Sequence, residues 1–116
     1  MGAKEIVQRY HDAWRRHDYE EARGLLHDDL DFAGPFDTFD RADDFLEAIR
    51  ALAPVVKDVE VRKTFVDGED VCLIFDMVTQ GAGTHPIAEW YSVRDGKIAW
   101  LRVFFDARPF AAMRGG

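Results

Sequence analysis

Apolar positions recur at helical spacing near the start of the chain and at every second residue near its end. Ile6, Val7, Tyr10, Ala13 and Trp14 form one stripe opposite Lys4, Glu5, Gln8, Arg9, Asp12 and Arg15. That spacing predicts an amphipathic helix over residues 4 to 16. His17 and Asp18 interrupt it, and Asp18 is placed to cap a second helix from Tyr19 to Leu26 with Ala22, Leu25 and Leu26 inward. A short strand is expected over Asp29–Ala33, closed by Gly34-Pro35. Asp40 suits the N-cap of a third helix, Arg41–Ala53, whose stripe is Phe45, Ala48, Ile49 and Leu52 and which Pro54 stops.

From Val55 onward the period becomes two. Val59, Val61 and Lys63 alternate with Glu60, Arg62 and Thr64 up to a tight turn at Asp67-Gly68. Val71–Thr79 is apolar on both faces, and Gln80-Gly81-Ala82-Gly83 is a flexible connection. His85–Arg94 and Lys97–Asp106 form a last hairpin across Asp95-Gly96. Helices followed by hairpin-linked strands predict an α+β fold: a cone-shaped, curved antiparallel sheet closed by three N-terminal helices over an apolar pocket. At 116 residues, with no repeat or linker, the chain is expected to be one domain over 1–116.

Alternation divides the late strands into two sets. Val71, Leu73, Phe75, Met77, Glu89, Tyr91, Val93, Leu101, Val103 and Phe105 share one side. Cys72, Ile74, Asp76, Val78, Trp90, Ser92, Trp100, Arg102 and Phe104 share the other. The first set is expected to face the helices. A second face carrying Trp90, Trp100 and Phe104 is too apolar to stay in water, so a homodimer through that face is expected. The alternative is that Arg108–Met113 folds back and covers it.

Composition narrows the partners. A net charge of −7, with no run of Lys or Arg longer than a pair, argues against nucleic acid and anionic membranes. No apolar stretch is long enough for a membrane anchor or leader, which predicts a cytoplasmic protein. Cys72 is the single cysteine, so there is no disulfide, and its apolar neighbours predict a small buried hydrophobe. The His and Cys residues have no ligand spacing, so no metal is predicted. His11 follows Tyr10 by one position and is expected on the helix surface, while His17 and His27 suit helix ends. His85-Pro86 begins a strand near a loop, where a plain turn is the first reading and a place on the pocket rim the second. Asp31 is expected to point outward and Asp37 to form a turn in the aromatic loop Phe36-Asp37-Thr38-Phe39. Asp76 is expected to meet an arginine across the sheet or across a dimer, and Asp106 to form a strand-end or dimer-edge pair with Arg102 or Arg108. The closing Arg-Gly-Gly reads as a frayed tail.

Several of these segments resemble the ketosteroid isomerases and SnoaL-like proteins of the nuclear transport factor 2-like superfamily. They are Ile-Val-Gln-Arg-Tyr at the start, the break at Asp18, Leu-Leu-His-Asp-Asp, Gly34-Pro35 and the closing Ser-Val-Arg-Asp-Gly-Lys-Ile and Arg-Val-Phe-Phe-Asp. The ending from Phe105 to Phe110 is similar to that of limonene epoxide hydrolases. The resemblance implies an oxyanion donor at Tyr10 and a second, protonated carboxyl on the penultimate strand, at Glu89 or, with the other register, Ala88. It places the isomerase base at Gly34, which holds no proton, and the last-strand aspartate of the epoxide hydrolases at Val103. Both of those chemistries are therefore disfavoured in their usual form.

What remains is a half-site: neutral Glu89 and Tyr10 offering two hydrogen bonds to a carbonyl oxygen. Neutral carboxyl donors of this kind have a known precedent in ketosteroid isomerase. Trp14, Phe32, Phe36, Phe75, Met77, Tyr91, Leu101, Val103 and Phe105 would line the pocket for a small hydrophobic substrate. No cofactor is implied. Three readings stay open: a SnoaL-like isomerase, cyclase, dehydratase or hydrolase, a binder of hydrophobic ligands, and a dimerisation domain.

Overall fold

The computed structural model describes residues 1–113, with side chains through Phe110. The closing Arg114-Gly115-Gly116 lies outside the described residues. Helix α1 (Ala3–Arg15) buries Ile6, Val7, Tyr10, Ala13 and Trp14, the stripe its spacing requires. Glu5 in its first turn and Arg15 in its last suit the helix dipole. Helix α2 (Tyr19–Gly24) is capped as expected, Asp18 Oδ1 accepting from the Glu21 N–H at 3.2 Å. It stops two residues early, because Leu26 already belongs to a strand.

That strand, β1 (Leu26–Ala33), is longer than its apolar core suggested and pairs with a two-residue β2 (Thr38–Phe39). Helix α3 (Ala42–Leu52) has Arg41, not Asp40, at its N-cap, with no side-chain cap bond. Asp43 and Asp44 supply the negative charge in its first turn instead. A single 3-10 turn, Ala53–Val55, carries Pro54 near its start, where a missing N–H costs nothing. Then come β3 (Val56–Asp67), β4 (Asp70–Thr79), β5 (Gly83–Arg94), β6 (Lys97–Phe104) and a short α4 (Arg108–Met113).

The strands form one open sheet in the order β2-β1-β6-β5-β4-β3, antiparallel except for the parallel pair β1–β6. Register shifts fall between Val61 and Lys63 on β3 and between Ser92 and Val93 on β5. Such irregularities bend a sheet and exchange its faces locally. The first has a visible consequence. Val59 pairs with Met77 and is buried, whereas Lys63 pairs with Ile74 on the opposite face, so Val59 and Lys63 do not share a side as plain alternation required.

The second shift skips Ala99 of β6, so that Ile98 is buried while Trp100 lies on the outer face; along β4 and from Ser92 back through β5 the alternation holds. Val71, Leu73, Phe75 and Met77 of β4 are all buried. Glu89 pairs with Leu73 and Val103, while Ala88 pairs with Ile74 and Phe104 on the outer side. Helices α1 and α3 cover the inner face. On the outer face Trp90 is 42% and Phe104 55% exposed, with Trp90 packed edge-on against Trp100 at 4.5 Å. The Arg102 guanidinium lies 4.3 Å over the Trp100 ring and 3.1 Å from Asp31. Arg62 reaches Asp76 at 3.5 Å, and Asp106 takes Arg108 at 2.6 Å. Cys72 is only half-buried there, beside Trp90.

Helix α4 does not lie over those tryptophans. Phe110 meets Phe105 at 5.1 Å and His85 at 4.5 Å, which brings α4 to the rim of the inner cavity. His85 lies on β5 behind the rim residue Phe110, its Nε2 against the Ala82 carbonyl, so of the two readings the place beside the rim holds and the plain turn does not.

Candidate functional site

A cavity of about 280 Å³ opens between the inner sheet face and the helices. Alternation on β4, β5 and β6 sends Phe75, Met77, Ile87, Glu89 and Val103 into it. Trp14 comes from α1, and Phe45, Ala48, Ile49 and Leu52 come from α3. The rim is aromatic: Phe36 from the β1–β2 turn, Phe105 after β6 and Phe110 from α4, with Phe36 and Phe105 5.9 Å apart. Phe32 and Phe39 complete the wall.

Of the residues expected to line a pocket, Trp14, Phe32, Phe36, Phe75, Met77, Val103 and Phe105 do so. Tyr91 and Leu101 do not: they pair across β5–β6 in the core, 0% and 1% exposed. Tyr10 is also in the core rather than on the cavity wall. Its ring stands edge-on to Tyr91 at 6.0 Å and tilted to Phe45 at 6.4 Å. Burial, with the Glu89 charge nearby, holds its hydroxyl well above the usual tyrosine range, so it stays protonated.

Glu89 is the polar feature of the inner wall. Its side chain is 14% exposed. Loss of water penalises the carboxylate and pushes its pKa up to about 7, against the opposing pull of a Tyr91 hydrogen bond. The hydroxyl that reaches Glu89 is Tyr91's, donating to Oε1. Residues two apart on a strand point the same way, so the pairing follows from local geometry.

Beside them stands His11, which sequence periodicity put on the surface. It is 2% exposed, with its Nε2 3.7 Å from Glu89 Oε1. Its ring packs edge-on to Phe75 at 4.8 Å and Trp14 at 5.5 Å. Burial, then the charge of Arg15, lowers its pKa to about 3, so the imidazole is neutral in ordinary buffers. A signal was available: His11 lies four residues after Val7 and three before Trp14, both on the buried stripe. His17 sits at the C-terminal end of α1 as expected, though it is its backbone N–H that meets the Trp14 carbonyl at 3.1 Å while its ring stacks on Tyr19 at 6.0 Å; His27 instead lies on β1 with its Nδ1 3.5 Å from Asp29.

Gly34 and Asp37 edge the cavity from the β1–β2 turn, which closes through a bond from the Gly34 N–H to the Asp37 carbonyl at 2.9 Å. A Cβ at Gly34 would sit 3.2 Å from Phe32 Cζ and 3.8 Å from Val103 Cβ, so the position where the resemblance puts an acid opens onto the same wall as Glu89. Among the described residues, no group of three His, Cys, Asp or Glu side chains is arranged to hold a metal. No helix among them is long and apolar enough to cross a membrane. An apolar chamber with one buried carboxyl near half-protonation at neutral pH can exclude water from an uncharged ligand and donate one hydrogen bond to it.

Comparison with known proteins bears on the fold. The solved structure of a protein from Kribbella flavida DSM 17836 superposes with a TM-score of 0.89 at 28% identity, over 96% of this chain and 92% of that one. A nuclear transport factor 2-like protein of unknown function from Cytophaga hutchinsonii ATCC 33406 gives 0.85 at 26% identity, over 96% of both chains. An LEH-like epoxide hydrolase from M. tuberculosis gives 0.78 at 20% identity, over 97% of this chain and 90% of that one, and so shares the fold. No curated protein matches the sequence. The model of the SnoaL-like domain matches residues 7–101, and the chain belongs to that family, with a nuclear transport factor 2-like fold.

Proposed function

We propose that the cavity takes a small, uncharged, apolar carbonyl compound and that neutral Glu89 hydrogen-bonds its oxygen. The observation that carries this reading is a buried carboxyl, its pKa pushed up to about 7, in a wall lined mostly by aromatic and aliphatic side chains, with Asp37 exposed at the edge. Reactions that pass through an enol or a tetrahedral oxyanion place negative charge on that oxygen. A fixed donor there is typically worth about 3 kcal/mol of transition-state stabilisation. Isomerisation, cyclisation, dehydration and hydrolysis all fit this description. A purely binding role is the second reading, favoured by Gly34 where the related isomerases carry a base.

The test is binding of a non-ionisable aromatic ketone, 2-acetylnaphthalene, followed by tryptophan quenching from pH 5 to 9. With Glu89 as donor, affinity should fall by about tenfold per pH unit above 7, towards the affinity of the ionised protein. In Glu89→Gln, which keeps an N–H donor and does not titrate, affinity should not change with pH. A wild-type affinity that is flat across this range would remove Glu89 from the ligand's carbonyl. Turnover of a ketone bound in this way would separate an enzyme from a carrier.

We also propose that the outer face carrying Trp90, Trp100 and Phe104 joins two copies. Exposed aromatics packed on one another and on Arg102 have the composition of an interface centre. Sedimentation velocity should show a dimer for the wild type and a monomer for Phe104→Glu, with dimer affinity lowered at least about 100-fold. A monomeric wild type at high protein concentration would refute this arrangement.

A further inference from the structure

Glu89 meets the imidazole of His11 and the hydroxyl of Tyr91 on the same oxygen, Oε1. The Tyr91 hydroxyl donates, so Oε1 is the accepting oxygen of the neutral acid and the acid proton rides on Oε2. An imidazole nitrogen facing an accepting oxygen suits it only as an N–H. His11 Nε2 is buried and has no hydrogen-bond partner among the described residues, at 3.7 Å just beyond bonding distance from Oε1. Buried polar atoms without partners are rare, and each calls for an explanation.

We propose that His11 is a positioning residue for Glu89: its neutral ring holds a proton on Nε2, aims it at Oε1, and so keeps the acid proton on Oε2 for the ligand. The inference deepens the donor reading of the cavity and rests on it for its functional meaning. When Glu89 ionises, a small movement closes the Nε2–Oε1 gap and the N–H bonds the carboxylate. Tyr91 and His11 then limit together how far burial can raise the carboxyl's pKa. The other groups around the pair are few. Tyr10 on α1 and Cys72 on β4 are close enough to feel the Glu89 charge, and Arg15 is close enough to act on His11. Tyr10 and Cys72 are neutral in their ordinary states, and Phe75 and Trp14 pack against the ring without a charge.

The experiment follows the titration of Glu89 itself by carboxyl carbon NMR, without a ligand, in wild type, His11→Phe and His11→Gln. His11→Phe keeps an aromatic ring against Phe75 and Trp14 but removes the N–H. Its Glu89 midpoint should move up by about one pH unit, a tenfold change in proton affinity. His11→Gln places an amide N–H near the position of Nε2 and should restore most of the wild-type midpoint. The imidazole nitrogen shifts of the wild type should report the tautomer with hydrogen on Nε2, a readout that does not depend on any variant folding.

An unchanged midpoint in His11→Phe, a downward shift, or the tautomer with hydrogen on Nδ1 would each overturn the proposal. A downward shift would mean that Nε2 accepts the acid proton. These outcomes are independent of the ketone titration. Ketone binding that ignores pH would defeat the donor reading while leaving the His11–Glu89 contact measurable.

Discussion

Replacing Glu89 with glutamine is expected to leave folding stability nearly unchanged at pH 4 and to raise it by about 3 kcal/mol at pH 8. The cause is the position of the carboxyl. In the folded chain burial lifts its pKa to about 7, above the 4.5 of the free side chain. Below pH 4.5 both states carry the proton and nothing is lost. Between 4.5 and 7 the unfolded chain releases a proton that the folded chain retains, so stability falls with rising pH. Above 7 the folded carboxyl ionises as well, and the loss levels off.

A gap of roughly two and a half units corresponds to about 3 kcal/mol. Glutamine has no proton to lose, fits the same space and still accepts the Tyr91 hydroxyl. Urea denaturation at pH 4, 6 and 8 would check the prediction, since other titrating groups are common to both proteins and cancel. Parallel stability curves would mean that Glu89 has an ordinary pKa in the folded state, and the neutral donor would go with it. A natural chain that keeps such a residue is less stable than it need be, which is the usual mark of a site selected for function.

How far the sequence reveals this site depends on which contacts are local. The inward run of Leu73, Phe75 and Met77 follows from a period of two and needs no partner to be known, whereas the pairing of Glu89 with Val103 depends on the extra residue Ala99 in β6, since an unbroken hairpin from Arg94–Lys97 would set Glu89 opposite Arg102. Tyr91 beside Glu89 was readable in the same way, because residues two apart on a strand share a face. The inner side of β3 was not readable beyond Val61, since one extra residue in a strand leaves no reliable mark in the hydrophobic pattern. His11 was hidden for a different reason. Helix α1 lies against both β4 and β5, so its buried arc is wider than a single stripe and takes in the residue next to Tyr10. The rim of the cavity depends on where the β1–β2 turn and α4 meet, and such long-range packing is not periodic in the chain. Phe110 was therefore expected only as part of a segment that covers the opposite face or none.

Gly34→Asp is expected to accelerate isomerisation of a small β,γ-unsaturated cyclic ketone, such as 3-cyclohexenone, by about 10²- to 10⁴-fold over wild type, the range of a positioned general base. Gly34 lines the same cavity as Glu89, and its backbone is not in the left-handed region, so a side chain can be accepted there. The tightest contact of the new Cβ is the far end of the Phe32 ring at 3.2 Å, which can yield by a few tenths of an ångström. The introduced carboxylate would remove the proton between carbonyl and alkene and return it at the far end of the shifted double bond, so no other reactant is needed. Glu89 would meanwhile hold the oxygen on which the enolate charge appears.

The rate should therefore fall above about pH 7, as Glu89 loses its proton. That limb should vanish when Glu89→Gln is added, because the amide does not titrate. Gly34→Asn supplies the same bulk without a base and serves as the control. If it matches Gly34→Asp, no ketone is held between the two positions. If Gly34→Asp alone is faster and the limb near pH 7 is present, the cavity already orients a carbonyl oxygen on Glu89, and what the natural chain does there needs no base at Gly34.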